Sequence, residues 1–329
     1  MKKVILLLIL VEAIIGCENS TAPNSPQGEW SLVGNAPRGY YNAIYFVDRN
    51  NGWVVGDSGR ILSTSDGGSS WNVRESGISS YLKCVTFVNL SRGWIGSRNN
   101  SIGLTTNGGL SWVWQHPPGN SQRLFTAISF VNENVGWIVD NYGGILHTED
   151  GGSTWNQIGA LSRGIRSVQF LDSLEGWATA VNRIVLHTTN GGKDWSITNL
   201  DTLQYGRQVV VVFEGIRFVN RLQGWIGTTS VFGDTDIHPT PIVTTSDGGN
   251  TWKLQQTPEN DFVNSFVFTN SNMGWAASGS GILYTNNGGD KWTYQLKLPG
   301  ALFVDICLVD QCCSWALTFA GGIYRYDIQ

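Results

Sequence analysis

Short apolar runs alternate with polar, glycine-rich turns along most of this chain, and the alternation repeats about every 40 residues. The first unit has four predicted strands, over residues 42–48, 53–56, 60–65 and 69–74. Each run is short and bounded by turn residues, which is typical of strands. Asp66-Gly67-Gly68 favours a hairpin because glycine accepts the positive φ that such turns require. Four antiparallel strands per unit predict a β-propeller blade, and the intervals are too short and glycine-rich for helical repeats.

Two motifs mark each unit. A Gly-Trp pair begins the second strand, at Gly52-Trp53, Gly93-Trp94, Gly136-Trp137, Gly176-Trp177, Gly224-Trp225 and Gly274-Trp275. A Thr-x-Asp/Asn-Gly-Gly box follows and ends at Trp71, Trp112, Trp155, Trp195, Trp252 or Trp292. Of the 15 tryptophans, only Trp114 stands outside the repeat positions. A residue present in every blade is better suited to packing between blades than to sugar stacking, because each indole buries a large apolar area.

The last unit predicts how the ring closes. Ser314-Trp315 begins its second strand and residues 322–327 supply a third, but no fourth strand follows. At the other end, residues 28–32 precede the first complete inner strand and look like an orphan fourth strand carrying Trp30. We therefore predict an all-β, seven-bladed propeller of four-stranded antiparallel blades, in which the N-terminal strand completes the last blade and leaves no truncated sheet edge.

The N-terminal segment has the features of a bacterial lipoprotein signal. Lys2-Lys3 precede the apolar run 4–11, which is too short to span a membrane, and Cys17 follows Gly16 as in a lipobox. We expect residues 1–16 to be removed, Cys17 to be lipidated, residues 17–27 to form a flexible tether and residues 28–329 to form the propeller. The expected location is the cell envelope, on a periplasmic or extracellular face. Glu18, where an inner-membrane lipoprotein of enteric bacteria has Asp, gives a slight preference for the outer membrane.

Charge and cysteines narrow the function. A formal net charge of −4 argues against nucleic acid as a partner. Cys84 and Cys307 fall in inner strands of blades that are not neighbours, as small buried residues would. A bridge from Cys307 to the Cys312-Cys313 pair is left open. No Cys-x-x-Cys occurs, so no zinc or redox pair is indicated.

The box acids could be metal ligands or catalytic acids, or they could only shape a turn. The six positions are Asp66, Asn107, Asp150, Asn190, Asp247 and Asn287. Asn supplies the side-chain oxygen of an Asx turn as well as Asp does, whereas catalysis or calcium binding would need the charge. We therefore interpret all six as structural and expect no metal and no cofactor.

Differences between repeats are more informative, because packing does not demand them. In a propeller, the loops leading into the inner strands and the turns between second and third strands open on one face, here called the top face. A candidate binding patch on this face comprises Arg38, Lys83, Arg98, Arg123, Arg163, Arg166, Arg183, Arg207 and Tyr142. Such a basic rim on an acidic protein favours an acidic or carboxylate-bearing partner, and a scattered solvated surface is the alternative.

Blade five has two insertions, over residues 201–208 and 230–240, and both fall on the top face. Long insertions in a regular scaffold are often functional. Asp234 and His238, with Asp236 between them, are added to the candidate patch for this reason. Three ligands in one loop are weak grounds for a metal site.

The repeated unit resembles the Asp-box, or bacterial neuraminidase repeat. The fuller pattern, with Gly136–Thr148 as its best example, is similar to the photosynthesis system II assembly and stability factor family over residues 28–329. The resemblance implies binding of an assembling reaction-centre protein, with a basic patch on the propeller implicated. The arginines above are the positions that could form that patch here. Relatives with this repeat also occur in bacteria that do no photosynthesis.

Two classes of function remain. The first is a non-enzymatic lipoprotein, expected to be a monomer, which binds a protein or peptide partner, such as a membrane protein, and assists assembly of a membrane complex. The alternative is an Asp-box propeller that binds glycans or hydrolyses glycosides. No Arg-Ile-Pro motif of the sialidases occurs, and none of the top-face acids Asp57, Asp140, Asp234 and Asp236 is visibly paired for glycoside hydrolysis.

Overall fold

The computed structural model describes residues 28–203, 211–230, 241–310 and 312–328. These residues form seven sheets, each of four antiparallel strands. The innermost strand of every sheet contacts the innermost strands of the sheets before and after it, and the contact between the first and last sheets completes a circle. The prediction of a seven-bladed β-propeller is therefore confirmed.

The first three blades read, from inner to outer strand, as follows. Blade one is β2 (Tyr41–Phe46), β3 (Gly52–Gly56), β4 (Ile61–Thr64) and β5 (Asn72–Arg74). Blade two is β6 (Leu82–Phe87), β7 (Gly93–Ser97), β8 (Ile102–Thr105) and β9 (Val113–Gln115). Blade three is β10 (Phe125–Phe130), β11 (Gly136–Asp140), β12 (Gly144–Thr148) and β13 (Asn156–Ala160).

Blades four to seven continue the series. Blade four is β14 (Ile165–Phe170), β15 (Gly176–Ala180), β16 (Ile184–Thr188) and β17 (Ser196–Asn199). Blade five is β18 (Val211–Phe218), β19 (Gly224–Ser230), β20 (Ile242–Thr245) and β21 (Lys253–Gln255). Blade six is β22 (Val263–Phe268), β23 (Gly274–Ser278), β24 (Gly281–Thr285) and β25 (Thr293–Lys297). Blade seven is β26 (Phe303–Asp310), β27 (Cys313–Thr318), β28 (Gly322–Ile328) and, outermost, β1 (Gly28–Asn35). Two single 3₁₀ turns lie at Asp57–Gly59 and Pro258–Asn260.

Three strands of blade one are shorter in the structure than the sequence predicted, and the third spans Ile61–Thr64 instead of residues 60–65. The inner strand ends at Phe46, because Asp48 opens a turn by accepting the backbone N–H groups of Asn50 and Asn51. The sequence predicted that the outer strand would include Trp71. The strand begins only at Asn72, so Trp71 lies in the box hairpin instead.

One layer of aromatic rings joins each blade to the next. The Gly-Trp tryptophan stacks on the last inner-strand phenylalanine of the following blade, for example Trp53 on Phe87 with ring centroids 3.5 Å apart. The box tryptophan of that blade, Trp112, meets the same phenylalanine edge-on at 6.1 Å. The stack occurs at six of the seven interfaces, with centroid distances from 3.5 to 4.2 Å. The interpretation of the Gly-Trp tryptophans as inter-blade packing is therefore confirmed.

The glycine of the Gly-Trp pair makes room for this phenylalanine. Phe46 lies directly opposite Gly52 in the β2–β3 ladder, and a Cβ at Gly52 would lie 2.6 Å from its ring carbons. The same close approach of ring to glycine occurs in blades two to six. Blade seven has Leu308 opposite Ser314 at this place, and correspondingly it lacks the glycine.

Hydrogen bonds reinforce the aromatic layer. The indole Nε1 of the Gly-Trp tryptophan donates to the carbonyl of the first box glycine in the next blade, as in Trp53 to Gly108 at 3.0 Å. Trp94, Trp137, Trp225 and Trp315 make the equivalent bond at 2.9–3.1 Å. Trp177 is the exception, because the far edge of its ring, and not Nε1, approaches Gly249. Its indole N–H is buried without a partner.

The ring closes where β1 pairs with β28, with Gly28 opposite Ile328 and Asn35 opposite Gly322. Blade seven has no box, so Trp275 of blade six lacks the usual glycine carbonyl. Gln295 takes its place: its Oε1 accepts from Trp275 Nε1 at 2.6 Å and from Trp30 Nε1 at 2.9 Å. Its Nε2 donates to the Gly28 carbonyl at 3.2 Å. One amide thereby joins blade six to the N-terminal strand.

We predict that Trp30→Ala lowers the free energy of unfolding by about 3–5 kcal/mol, the range for removing a buried tryptophan, and that deletion of residues 28–34 costs more. Urea denaturation of the chain from residue 28 onward would measure both. Leu32→Ala is the matched control, since Leu32 lies on the same strand but is 51% exposed. Equal stability of the parent and the deletion variant would refute the closure described above.

Candidate functional site

The strand order fixes which residues share a face. Every inner strand runs from the top face to the opposite, bottom face, so the box hairpins lie at the bottom. The loops into the inner strands and the turns between second and third strands lie at the top. Gly28, opposite Ile328, is at the bottom end of blade seven.

The box residues on the bottom face bond within their own hairpins. The Thr64 hydroxyl donates to Asp66 Oδ1 at 2.7 Å and accepts from Gly68 N at 3.0 Å, while Asp66 Oδ1 accepts from Ser70 N at 2.9 Å. The Ser70 hydroxyl and amide, with Thr64, lower the pKa of Asp66 to about 2. Hydrogen bonds from Thr154 and from Thr251 likewise lower the pKa values of Asp150 and Asp247.

The asparagine boxes have the same geometry. Asn107 Oδ1 accepts from the Thr105 hydroxyl and from Ser111 N, each at 3.0 Å. Asn190 and Asn287 make the equivalent pair of bonds. Asp and Asn are therefore interchangeable as acceptors here, which supports a structural role for Asp66, Asp150 and Asp247.

A second set of turns on the bottom face went unnoticed in the sequence. Each turn between first and second strands begins with Asp or Asn, whose Oδ1 accepts a backbone N–H two residues later and, in six blades, another three residues later. The seven residues are Asp48, Asn89, Asn132, Asp172, Asn220, Asn270 and Asp310. The signal was present as an Asx residue four positions before each Gly-Trp or Ser-Trp pair.

Arginines on the bottom face are engaged with neighbouring groups. Arg49 pairs with Asp310 at 2.7 Å, and Arg221 pairs with Asp172 at 2.7 Å and Glu175 at 2.9 Å. Arg92 donates to the Gly151 carbonyl at 2.8 Å. Each of these contacts links two neighbouring blades, which indicates a structural role for the three side chains.

Arg123 differs from the sequence expectation. It is only 6% exposed, and its Nε lies 2.9 Å from Oδ2 of Asp140, which is completely buried. Asp140 also accepts from the amides of Tyr142 and Gly144. Arg123 is therefore not available on the top surface, because it neutralises a buried carboxylate. Because Asp140 is buried and paired with Arg123, it is not accessible as a catalytic carboxylate for glycoside hydrolysis.

Four arginines of the candidate patch are exposed on the top face and have neither a hydrogen bond nor an ion pair within the described ranges. They are Arg38, Arg98, Arg163 and Arg166, on blades one, two and four. Arg98 lies 5.5 Å over the Tyr81 ring, a cation–π contact that leaves its N–H groups open. Arg183, by contrast, pairs with Asp201 at 2.6 Å.

The remaining members of the patch are spread around the same face. Lys83 is half-buried at the start of the blade-two inner strand. Tyr142 is 51% exposed on blade three, and Tyr40 of blade one, 55% exposed, stacks on Phe319 at 4.6 Å. Arg207, Asp234 and His238 lie outside the described residues, as does Cys17.

The cysteines contribute no cluster. Cys84, Cys307 and Cys313 are free and buried, so the bridge left open between Cys307 and the Cys312-Cys313 pair is not formed. Burial raises the pKa of both Cys84 and Cys307 to about 12, which keeps these thiols protonated. Across the residues with described positions, no group of three metal-ligating side chains comes together. Nor does that part of the chain contain a helix long and apolar enough to cross a membrane.

Fold and repeat together define a seven-bladed β-propeller with Asp-box hairpins on one face and unpaired arginines on the other. The chain belongs to the family described as photosynthesis system II assembly factor YCF48, whose family model matches residues 23–113, 76–163 and 113–219. The photosystem II assembly lipoprotein Ycf48 of Prochlorococcus marinus strain NATL2A is 39% identical over 75 residues. That match spans 23% of this chain and 22% of the relative, about a fifth of its length.

Solved structures show the same ring. A structure described as YCF48 bound to D1 peptide has a TM-score of 0.73 and 21% identity, covering 93% of this chain and 98% of the other. A streptogramin B lyase structure scores 0.70 at 13% identity, covering 92% and 98%. Both likenesses concern the fold, which is shared between a peptide-binding protein and an enzyme.

Proposed function

We propose that this protein is a non-enzymatic, lipid-anchored monomer of the bacterial envelope whose top face captures a protein or peptide partner during assembly of a membrane complex. Family membership supports an assembly role, and the relative whose structure was solved with a bound peptide supports a peptide-like ligand. The lipoprotein name of the cyanobacterial relatives supports an anchor at Cys17. Glu18 after that cysteine favours the outer membrane.

The observation that carries this proposal is the contrast between the two faces. Arginines at the bottom, such as Arg49 and Arg221, form ion pairs with carboxylates. Within the described ranges, Arg38, Arg98, Arg163 and Arg166 at the top form no ion pair, and Arg163 interacts with Asp201 only at longer range. An exposed guanidinium keeps five N–H donors in a planar fork that matches carboxylates. Charges that the ring does not use for its own stability are free to attract an acidic partner.

The position of the tether supports the choice of face. The chain reaches the ring at Gly28, on the bottom of blade seven, so a lipid at Cys17 would attach the propeller by its bottom side. Ten residues separate Cys17 from Gly28, a span of at most about 35 Å when extended. The top face is thereby presented away from the anchoring membrane, toward a partner.

We predict that the combined change Arg98→Glu, Arg163→Glu and Arg166→Glu lowers partner capture at least about tenfold, because it replaces attraction with repulsion. The intact lipoprotein would be crosslinked in its own membranes, and the partner adduct quantified at low and high salt. Parent capture should fall with added salt, as expected for steering between exposed charges.

The control variant carries Lys193→Glu, Lys253→Glu and Lys291→Glu, which change the net charge equally but lie on exposed positions away from the top face. It should retain capture. Undiminished capture by the arginine variant, together with loss of capture in the lysine variant, would contradict the proposal that the partner binds the top face.

For the anchor, we predict that Cys17→Ser abolishes incorporation of labelled fatty acid and cleavage after Gly16, while the ring keeps its thermal transition. Metabolic labelling followed by membrane fractionation measures both. A processed, unlabelled protein that still sediments with membranes would show that another attachment exists.

A further inference from the structure

A fifth arginine lacks a partner, and it does not lie on the top face. Arg217 occupies the next-to-last position of the blade-five inner strand, opposite Trp225, and faces the central channel of the ring. Within the described chain its guanidinium has neither a hydrogen bond nor an ion pair. The channel encloses a cavity of about 390 Å³ lined by the inner strands of all seven blades.

The same position has a structural task in other blades. Ser129 accepts from Phe170 N at 3.0 Å, and Cys307 accepts from Phe46 N at 3.2 Å. Gln169 does most, since its amide accepts from Phe218 N at 2.6 Å and donates to Phe218 O at 3.0 Å. Each of these side chains thereby accepts the backbone N–H of the last residue in the inner strand of the next blade.

Arginine cannot perform this task, because a guanidinium has no acceptor for a backbone N–H. The residue at this position in blade five is therefore not explained by the packing of the ring. It also brings a cost, since Arg217 is partly buried and a charge partly withdrawn from water without a counter-ion is unfavourable.

Among the residues that the structure describes, none in the channel is a counter-ion for Arg217. Its electrostatic neighbours are the Tyr45 hydroxyl and the Cys307 thiol, and burial lowers the pKa of Arg217. The channel carboxylate, Asp305, accepts from the amides of Ile44 at 3.0 Å and Ile306 at 2.9 Å and interacts with Lys83. Asp305 is thus engaged elsewhere, while Arg217 remains as a donor inside the channel, beside the Tyr45 hydroxyl, which also contacts the Thr86 side chain.

We propose that the central channel binds a carboxylate, with Arg217 as its anchor and Tyr45 as a second donor. The planar guanidinium fork matches a carboxylate with two parallel hydrogen bonds. The single positive charge of Arg217 is balanced by the single negative charge of a carboxylate, whereas a phosphate dianion would bring a second, unbalanced charge. The cavity falls in the range of small-ligand sites, about 300–1,000 Å³. The carboxylate can belong to a small organic acid or to the free C-terminus of a peptide.

Isothermal titration of the full mature chain tests this with three probes: propionate, an acetylated tetra-alanine peptide with a free C-terminus, and the C-terminal amide of that peptide. Arg217→Gln should weaken carboxylate binding at least about tenfold, the scale of one lost charge-assisted contact. Lys193→Gln, which removes an exposed cation from a bottom-face hairpin, is the matched control and should bind as the parent does.

Each outcome has a definite reading. Binding of propionate alone identifies a small acid as the ligand, and binding of the free peptide but not its amide identifies a chain end. Failure of all carboxylate probes, or equal binding by Arg217→Gln, overturns the proposal. This test measures probe binding in the channel and not capture of a partner on the top face, so the two proposals fail independently.

A second readout separates a ligand site from a structural role. Glutamine is accommodated at this position in blade four, so Arg217→Gln should fold and, without added carboxylate, melt at the same temperature as the parent or higher. Added propionate should raise the melting temperature of the parent only. A lower melting temperature for the unliganded variant would mean that the guanidinium stabilises the ring, and would contradict the proposal.

Discussion

The contact between one tryptophan and the next blade is the interaction on which this ring depends. A blade of four short strands cannot bury both of its faces alone, so its stability comes from its neighbours. The Gly-Trp indole contacts the next blade in two ways. It stacks on the phenylalanine of that blade, and its N–H donates to the carbonyl of the first box glycine there. The box hairpin must therefore hold its glycine carbonyl in one place, which is what the Thr and Asp or Asn side chains do.

This dependence explains why so much of the fold could be predicted from the sequence. Tryptophan, phenylalanine and glycine recur because each interface repeats the same geometry, and the spacing alone gave the blade number and the closing strand. Gln295 could not be predicted, because it replaces a box that exists only in the other blades and acts from a strand distant in sequence. The turned ring of Trp177 also follows from no local signal, since its motif is the same as in every other blade.

The candidate site was less predictable for a physical reason. The sequence showed which loops carry arginines, but whether an arginine is free depends on a carboxylate that the fold brings to it. Asp140 and Arg123 are separated by a whole strand and meet only in the folded blade, so Arg123 is buried. Arg217 lies within an ordinary inner-strand pattern, and only the ring shows that it faces the channel. The unpaired arginines at the top and in the channel are the features that the packing of the ring does not explain.

The interface itself provides the most direct test, because Trp177 lacks the indole hydrogen bond that every other Gly-Trp tryptophan makes. Trp53 and Trp177 are each 3% exposed and each stack on a phenylalanine, but only Trp53 donates to the next blade. The free energy of unfolding should be measured by urea denaturation for Trp53→Phe and Trp177→Phe, which keep a stacking ring and remove the N–H. The account predicts that Trp53→Phe is more destabilising by about 1–3 kcal/mol, the cost of one lost buried hydrogen bond. Equal losses in the two variants would contradict it, because the indole–carbonyl bond would then contribute nothing to holding the blades together.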